Sequence, residues 1–490
     1  MPTIQRQMIC LNKNERLTQK LKDYTKNPPL AFHMPGHKQH PIAGGLLPLG
    51  QDITEIADFD NLHQPEGILK EGMQQAAQLY GADASFYLVN GSTGGILAGI
   101  CAATKPHDAI LMPRGCHKSV YHGVELRQLT PIYINCQWDS AFDIAGSISP
   151  QEVEQKLDQN PHIKLVLLTS PTYEGVNSDL PTIVQICHSR GVPLMVDQAH
   201  GSHLGFCPQF EGAAVTAGAD IVIHSLHKTL PSPTQTGLAH WKNNGFVSGQ
   251  EFARQLAIFQ TSSPSYLLMA GIEDCLALLQ HQGDSLFRQY VRRLQDFSQQ
   301  VQGLQKLSVL GYGKDSLAHH PAIFSFDMGK LVISTRHTNC TGGQLKQMLR
   351  QQYHIELEMA MGQYALAMTS VFDTDASLRQ LAKALLAIDA SLQSQPDTFG
   401  ICHLPLPRQA MPPWKARLCP SSQLLLQQAE GRIAAQSIWA YPPGIPLVTA
   451  GEYLDKPLLQ QLLQLQKQRV ELYQEGKPFA QKIAVLQSEK

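Results

Sequence analysis

Apolar positions between residues 68 and 80 recur at helical spacing. Ile68, Leu69, Met73, Ala76, Ala77 and Tyr80 share one side, which predicts an amphipathic helix over 68–80. A short helix is expected at 17–24. The proline- and glycine-rich stretch 28–50 reads as loop. Short apolar runs then follow at 85–89, 109–112, 131–135, 164–169, 193–196 and 220–224. Most lack alternation, as expected of parallel strands covered on both faces. Helices are predicted between them at 96–103, 152–157 and 183–189, the first after a turn at 90–95. This alternation predicts an α/β domain wound on a mostly parallel sheet. Residues 270–390 read as mainly helical, with one strand at 323–327. The tail offers a proline-rich linker at 395–422, a helix at 423–437, a rigid turn at 441–446 and a helix at 457–472. The expected division is an N-terminal arm (1–50), a large domain (51–300), a small domain (301–395) and a C-terminal domain (396–490).

Composition narrows the class. The 490 residues are 43% hydrophobic and 16% charged, with a net charge of −1, so no global field draws the chain to nucleic acid or anionic membrane. No apolar run approaches the roughly 20 residues of a membrane span, and the N-terminus lacks a signal-peptide core. The ten cysteines include no close pair and no Cys-x-x-Cys, which argues against a disulfide framework and a thiolate zinc site. Histidines are plentiful (His33, His37, His63, His117, His122, His200, His203, His224, His227), yet no His-x-x-x-His sits on a clear helix with an acidic partner. The expectation is a cytoplasmic protein with no structural or catalytic metal.

The chemistry concentrates in two segments. Asp197 closes an apolar strand, and Lys228, in Ser225-Leu226-His227-Lys228, follows the next one 31 positions later. An amine and a carboxylate so placed can serve pyridoxal 5'-phosphate (PLP): the amine forms a Schiff base, and the acid keeps the pyridine nitrogen protonated. A helix N-cap is the ordinary alternative for Asp197. The turn Gly91-Ser92-Thr93-Gly94-Gly95 opens a helix and can bring backbone N–H groups to an anion. Its spacing is neither a Walker motif nor a dinucleotide fingerprint, so a monophosphate fits better. His117 also follows a strand, where an imidazole can stack on a cofactor ring.

Several segments together resemble one family: His33-Met34-Pro35-Gly36-His37-Lys38, Asp60-Asn61-Leu62-His63-Gln64-Pro65-Glu66-Gly67, Asn90-Gly91-Ser92-Thr93, Arg114-Gly115-Cys116-His117-Lys118-Ser119, Pro171-Thr172-Tyr173, Val196-Asp197-Gln198-Ala199-His200-Gly201, Ser225-Leu226-His227-Lys228, Thr261-Ser262-Ser263-Pro264-Ser265-Tyr266 and Tyr441-Pro442-Pro443-Gly444-Ile445-Pro446. The chain resembles the group III Orn/Lys/Arg decarboxylases. That resemblance implies a fold type I PLP-dependent transferase (aspartate aminotransferase-like), with a mostly parallel seven-stranded sheet and smaller α+β C-terminal domains. It implies Lys228 as the Schiff-base lysine, Asp197 on the pyridinium nitrogen and His117 stacked on the ring. Ser92, Thr93, Ser225 and His227 would surround the phosphate, with Ala199 and His200 on the ring's other face. Segment 261–266 would reach a neighbouring subunit's cofactor in a homodimer or larger homo-oligomer with shared sites. Glu452 matches a position near the substrate pocket. The large bacterial members carry a receiver-like domain before the first motif, whereas about 30 residues precede His33 here, which favours a dimer or tetramer over a decamer.

The implied activity is decarboxylation of lysine, ornithine or arginine to cadaverine, putrescine or agmatine, in polyamine metabolism. A cationic side chain calls for a carboxylate, for which Glu452 and the run Asp52, Glu55, Asp58, Asp60 are the expected candidates. Rival readings are another PLP enzyme of the same fold, such as an aminotransferase using Arg336 or an aldolase, and a paralogue that kept the fold and lost the chemistry.

Overall fold

The computed structural model describes residues 16–26, 34–35, 38, 47–396, 406–441, 445–467 and 471–487. Half of the first family motif (His33, Gly36 and His37) lies outside them, as do residues 442–444 of the rigid turn and 397–405 of the linker.

Seven strands form the main sheet: β1 (Ala84–Leu88), β2 (Ala109–Pro113), β3 (Thr130–Ile134), β4 (Ile163–Thr169), β5 (Leu194–Asp197), β6 (Ile221–Ser225) and β7 (Gly237–Trp241). Their order across the sheet is β1-β7-β6-β5-β4-β2-β3. The neighbours from β6 to β3 all pair in parallel, and β7 runs antiparallel to both β1 and β6. Alternate residues point to opposite faces, and both faces are covered. Ile110, Met112, Leu165 and Leu167 pack under α3 (Gly91–Ala103) and α4 (Lys118–Leu126). Leu111, Val166, Leu168 and Val196 pack under α5 (Pro150–Gln159) and α6 (Leu180–Ser189). This double cover explains the unalternating apolar runs.

The helix predicted at 96–103 begins earlier, at Gly91, so the small-residue turn is the first turn and a half of α3. Its glycines also serve packing. A Cβ on Gly95 would lie 2.7 Å from Leu88, and one on Gly99 2.6 Å from Met195, so α3 can lie flush on the sheet only without those side chains. The strand β7 was not foreseen.

The region read as mainly helical also holds a second sheet. The 35-residue α7 (Tyr266–Gln300) leads to a four-stranded antiparallel sheet of β8 (Ser308–Val309), β9 (Lys330–Ser334), β10 (Met359–Met361) and β11 (Tyr364–Met368), in the order β8-β9-β11-β10. The strand expected at 323–327 shrinks to Ser325–Phe326, paired with Val176–Asn177. The helix expected at 423–437 does not form. Ser421–Leu425 is a strand paired with Lys482–Leu486, a single 3₁₀ turn follows, and Gly431 has φ +74°. The helix expected at 457–472 runs Lys456–Lys467 and gives way to strand Glu471–Gln474. Strands Ile438–Tyr441 and Ile445–Val448 pair as a hairpin. Among the described residues, no helix is long and apolar enough to cross a membrane.

The N-terminal helix α1 (Leu17–Tyr24) docks on α7 through a buried acid. The Leu17 N–H donates to Glu273 Oε2 at 3.0 Å, while Glu273 Oε1 and the nearby Tyr87 hydroxyl are buried without partners. Burial pushes the Glu273 carboxyl up to about 7, against the opposing pull of the Leu17 bond. Its folded-state value therefore lies above the ordinary 4.5, so the native state binds the extra proton and stability falls as pH rises from 4.5 to about 7. Glu273→Gln keeps the acceptor and removes the charge. Thermal unfolding should show the variant more stable than the parent at pH 8, with the gain shrinking by pH 5; an equal gain at both would contradict this reading.

Candidate active site

The side chains singled out by sequence meet at the carboxyl edge of the main sheet, where ligands of open α/β sheets gather. β1 delivers Ser92, β2 delivers Cys116 and His117, β4 delivers Thr169, Thr172 and Tyr173, β5 ends on Asp197 and leads to Ala199 and His200, and β6 leads to Lys228. All of these line one cavity of about 110 Å³. Asp197 and Lys228 are brought together because β5 and β6 are adjacent and parallel, with Asp197 opposite Ile223. A hydroxyl pair, Ser202 to Thr229 at 2.8 Å, ties the loop after Asp197 to the short helix Leu226–Thr229 that carries Lys228.

Electrostatics follow from burial. The Lys228 amine is shifted below its ordinary value, chiefly because it is out of water, with Asp197 and Glu358 pulling the other way. The Asp197 carboxyl is raised by burial, offset by the Lys228 charge and by the Ala199 N–H at 3.2 Å. Lys228 Nζ lies 3.1 Å from His200 Nε2. His200 is held neutral, first by burial and then by the charges of Lys228 and Lys330, and its Nδ1 is buried without a partner. His117 Nδ1 accepts the Ser119 N–H at 3.2 Å, capping α4, and burial pushes the ring down to about 4. At neutral pH both imidazoles are uncharged.

These residues fit PLP. Asp197 is a buried carboxylate that accepts one backbone bond, so a ring N–H would give it a charge-assisted hydrogen bond. His117 and His200 present neutral rings to the same cavity. At one end the Ser225 hydroxyl donates to Ser92 at 2.9 Å beside the N-terminus of α3, a place suited to a phosphate. His227 Nδ1 donates to the Thr236 carbonyl at 2.9 Å, which fixes its tautomer. Thr93 is exposed in the same first turn and does not line the cavity.

A buried polar relay supports this edge. Ser85 Oγ meets His240 Nδ1 at 2.7 Å, His240 Nε2 meets His224 Nδ1 at 3.1 Å, and His224 Nε2 meets Gln198 Oε1 at 3.1 Å. The chain crosses β1, β7 and β6 and fixes Gln198, next to Asp197. His224 is thus a hydrogen-bonding link. Among the described residues no group of three or more His, Cys, Asp or Glu could hold a metal ion.

The comparisons decide the family. The description "Orn/Lys/Arg decarboxylase, major domain" matches residues 16–332, and "Orn/Lys/Arg decarboxylase, C-terminal domain" matches 404–472. The chain belongs to the Orn/Lys/Arg decarboxylase family. An arginine decarboxylase of Halalkalibacterium halodurans is 32% identical over 88% of this chain and 89% of its own. The arginine decarboxylase of Bacillus subtilis (strain 168) is 31% identical over 89% and 90%. The crystal structure of the Francisella novicida lysine decarboxylase superposes with a TM-score of 0.81 at 19% identity, covering 96% of this chain and 81% of that one. As an Orn/Lys/Arg decarboxylase the chain is a PLP-dependent decarboxylase, and its architecture is that of fold type I.

Glu452, the residue expected to meet the substrate, is used otherwise. It is 0% exposed and paired with Arg114: Nη1 reaches Oε1, and Nη2 reaches Oε2 at 2.8 Å, where the Thr449 N–H also donates at 2.7 Å. Arg114 further donates to the carbonyls of Pro446 and Leu447 and lies over the Tyr133 ring. This decarboxylase therefore uses Glu452 to fasten its C-terminal hairpin to the loop that presents His117. Nor does the acidic run line the cavity. Asp60 accepts the N–H groups of Asn61, Glu66, Gly67 and Leu69 and anchors the start of α2 (Ile68–Tyr80). Segment 261–266 packs on the same region: His63 Nε2 meets the Thr261 carbonyl at 2.8 Å, and the Tyr266 hydroxyl donates to the Asp60 carbonyl.

Sequence reasoning gave Tyr173 no role and missed Glu174, Glu358 and the buried cluster His203–Asp327–Lys330. In that cluster His203 Nε2 lies 3.1 Å, and Lys330 Nζ 3.6 Å, from Asp327. Burial favours the protonated acid, but His203 and Lys330 outweigh it and hold Asp327 at about 2. The first two were within reach, since Pro171-Thr172-Tyr173-Glu174 directly follows a strand ending at the site.

Removing one partner of a buried ion pair strands the other charge, at a cost of about 3–5 kcal/mol. Glu452→Ala should lower the free energy of unfolding by that order in urea titrations. An unchanged midpoint would contradict the fastening role.

Proposed function

We propose that this enzyme decarboxylates L-arginine to agmatine and CO₂, feeding polyamine formation. The observation that carries the choice among basic amino acids is coverage: relatives named arginine decarboxylase align over 88–90% of this chain at 31–32% identity. The inducible lysine decarboxylase of Escherichia coli (strain K12) aligns over 59% at 26%.

Bound PLP supplies an electron sink that makes loss of CO₂ from the α-carbon feasible. The protein does the rest. Asp197, out of water, would hold a proton on the ring nitrogen. Neutral His117 and His200 line the same cavity and would confine the ring there. Ser92, Ser225 and the α3 N-terminus would hold the phosphate. The lowered Lys228 amine is available as a nucleophile, and Lys228 Nζ and His200 Nε2, 3.1 Å apart, form the pair able to return a proton to the α-carbon. Burial of the cavity excludes water from that carbon. Arg336, the arginine considered for an aminotransferase, instead donates to the carbonyls of Ser140 and Ala141 and does not line the cavity.

The same reading places the enzyme in the cytoplasm as a homodimer with shared sites, built from a large domain to about residue 300, a small domain to 395 and a C-terminal domain. The test is CO₂ release from arginine, lysine and ornithine. The expected outcome is a kcat/KM for arginine at least tenfold above the other two, with Lys228→Ala reduced by several orders of magnitude. A preference for lysine or ornithine would overturn the substrate assignment, and transfer of the amino group without CO₂ release would overturn the reaction.

A further inference from the structure

His203, Asp327 and Lys330 form a buried ionic cluster that does not line the cavity but stands behind its wall. Asp327 and Lys330 are each 1% exposed and belong to the turn that opens β9. His203 lies in the loop after Asp197. Asp327 Oδ1 meets His203 Nε2 at 3.1 Å and accepts the Gly329 N–H at 2.8 Å, and Lys330 Nζ stands 3.6 Å from Oδ2. Buried charges are poor stabilisers, because apolar side chains of similar volume fill such a space at less cost. An ionic cluster kept beside a reactive site points to an electrostatic task.

The cluster is keyed to the cavity on one side and to the reactive amine on the other. The Asp327 N–H donates to the Gly175 carbonyl at 2.8 Å. The Lys330 stem packs on Gly175, where an added Cβ would meet Lys330 Cγ at 2.6 Å. Gly175 follows Thr172, Tyr173 and Glu174, which line the cavity. His203 follows His200 by three residues, and between them Ser202 bonds Thr229, the neighbour of Lys228. Four titratable groups act on His200: Lys228 and His227 from the short helix Leu226–Thr229, His117 from the start of α4, and Lys330 from β9, while Tyr173 packs against its ring. Burial leaves His117 and His227 uncharged at neutral pH. The cations facing His200 are therefore Lys228, which reacts, and Lys330, which is fixed. Lys228 also repels Lys330, while Asp327 and Glu358 favour the Lys330 charge and Asp197 and Glu358 favour that of Lys228.

We propose that Lys330 is a positioning residue of this decarboxylase: its ammonium, fixed by Asp327 behind the cavity wall, keeps Lys228 a free amine and His200 Nε2 an open acceptor that orients it. The inference goes beyond the choice of substrate and rests on Lys228 as the cofactor lysine. An amine must be uncharged to attack an aldehyde, and a second cation close by is one way to keep it so. Like charges in a dry site repel across several ångströms, so a proton added to either Lys228 or His200 is disfavoured while Lys330 is charged. An imidazolium at position 200 could not accept from Lys228, whereas the neutral ring accepts one of its N–H groups across the 3.1 Å that separates them. Asp327, ionised throughout the neutral range, holds the Lys330 charge in place.

The test uses PLP-loaded enzyme and the variants Lys330→Met and Lys330→Arg. Methionine keeps an unbranched stem against Gly175, and His203 stays on Asp327, so no acid is stranded. A unit charge within about 10 Å, at an effective dielectric of about 20, moves a titration by roughly one pH unit. Without the cation, protons bind more readily. Lys330→Met should therefore raise, by about one pH unit, both the acid limb of kcat/KM and the pH midpoint of the holoenzyme's visible absorbance band. Lys330→Arg should stay within about 0.3 pH unit of the parent. A merely structural residue would lower the unfolding midpoint and leave both pH midpoints in place. Midpoints unchanged in Lys330→Met, or moved equally in Lys330→Arg, would overturn the proposal. If neither Lys330→Met nor Lys330→Gln folds, the parent decides. Histidine NMR, assigned with His200→Gln, should show the His200 ring uncharged from pH 8 down to about 5, and an imidazolium at neutral pH would overturn the proposal. Parent enzyme that takes up PLP without a visible band would sink the cofactor role of Lys228 instead, and the histidine signal would still decide the state of His200.

Discussion

An amine and a carboxylate withheld from water at the ends of two neighbouring parallel strands are the constraint around which this molecule is built. Charged groups in such a place are costly unless something completes them. The Lys228–Asp197 arrangement is incomplete by itself: the amine is pushed toward its neutral form, the acid toward its protonated one, and His200 Nδ1 has nothing to bond. A heterocycle with an aldehyde on one side and a basic nitrogen on the other would answer the first two deficits together. The rest of the structure keeps the two groups in register. Parallel pairing of β5 with β6 sets their separation, the Ser85–His240–His224–Gln198 relay locks the turn beyond Asp197, and the Ser202–Thr229 pair links that turn to the lysine helix.

The small sheet and the C-terminal hairpin are tied to the carboxyl edge of the main sheet, each through one carboxylate. Arg114 and Glu452 join the hairpin to the strand end bearing His117. Tyr173 and Glu358 join the second sheet to the strand end bearing Thr169. These junctions differ in character. The first is sealed, with both carboxylate oxygens consumed. The second is exposed, with one carboxylate oxygen accepting the Tyr173 hydroxyl.

Much of this was legible from the sequence, because it depended on local pattern. Unalternating apolar runs announced strands buried on both faces, and the residues closing those runs were the ones gathered at the sheet edge. What was not legible depended on tertiary pairing. Gln423 to Gln428 are good helix formers, yet Ser421–Leu425 pairs with Lys482–Leu486 some sixty positions away, and strand pairing overrode propensity. Gly237–Trp241 begins with glycine and carries a buried histidine, so its composition hid a central strand. Glu452 drew attention through its motif, but only three-dimensional placement showed Arg114 holding it. Glu358 had no motif and became visible only through the Tyr173 ring beside the cavity.

The comparisons fix the family and leave the chemistry of the pocket to be argued from its own atoms. The central claim, that position 228 carries the cofactor, is tested most directly by borohydride reduction of the purified holoenzyme followed by peptide mass spectrometry. The account predicts loss of the visible absorbance band and a reduced pyridoxyl phosphate adduct on Lys228 alone. An adduct on Lys330 or another lysine, with Lys228 unmodified, would contradict it.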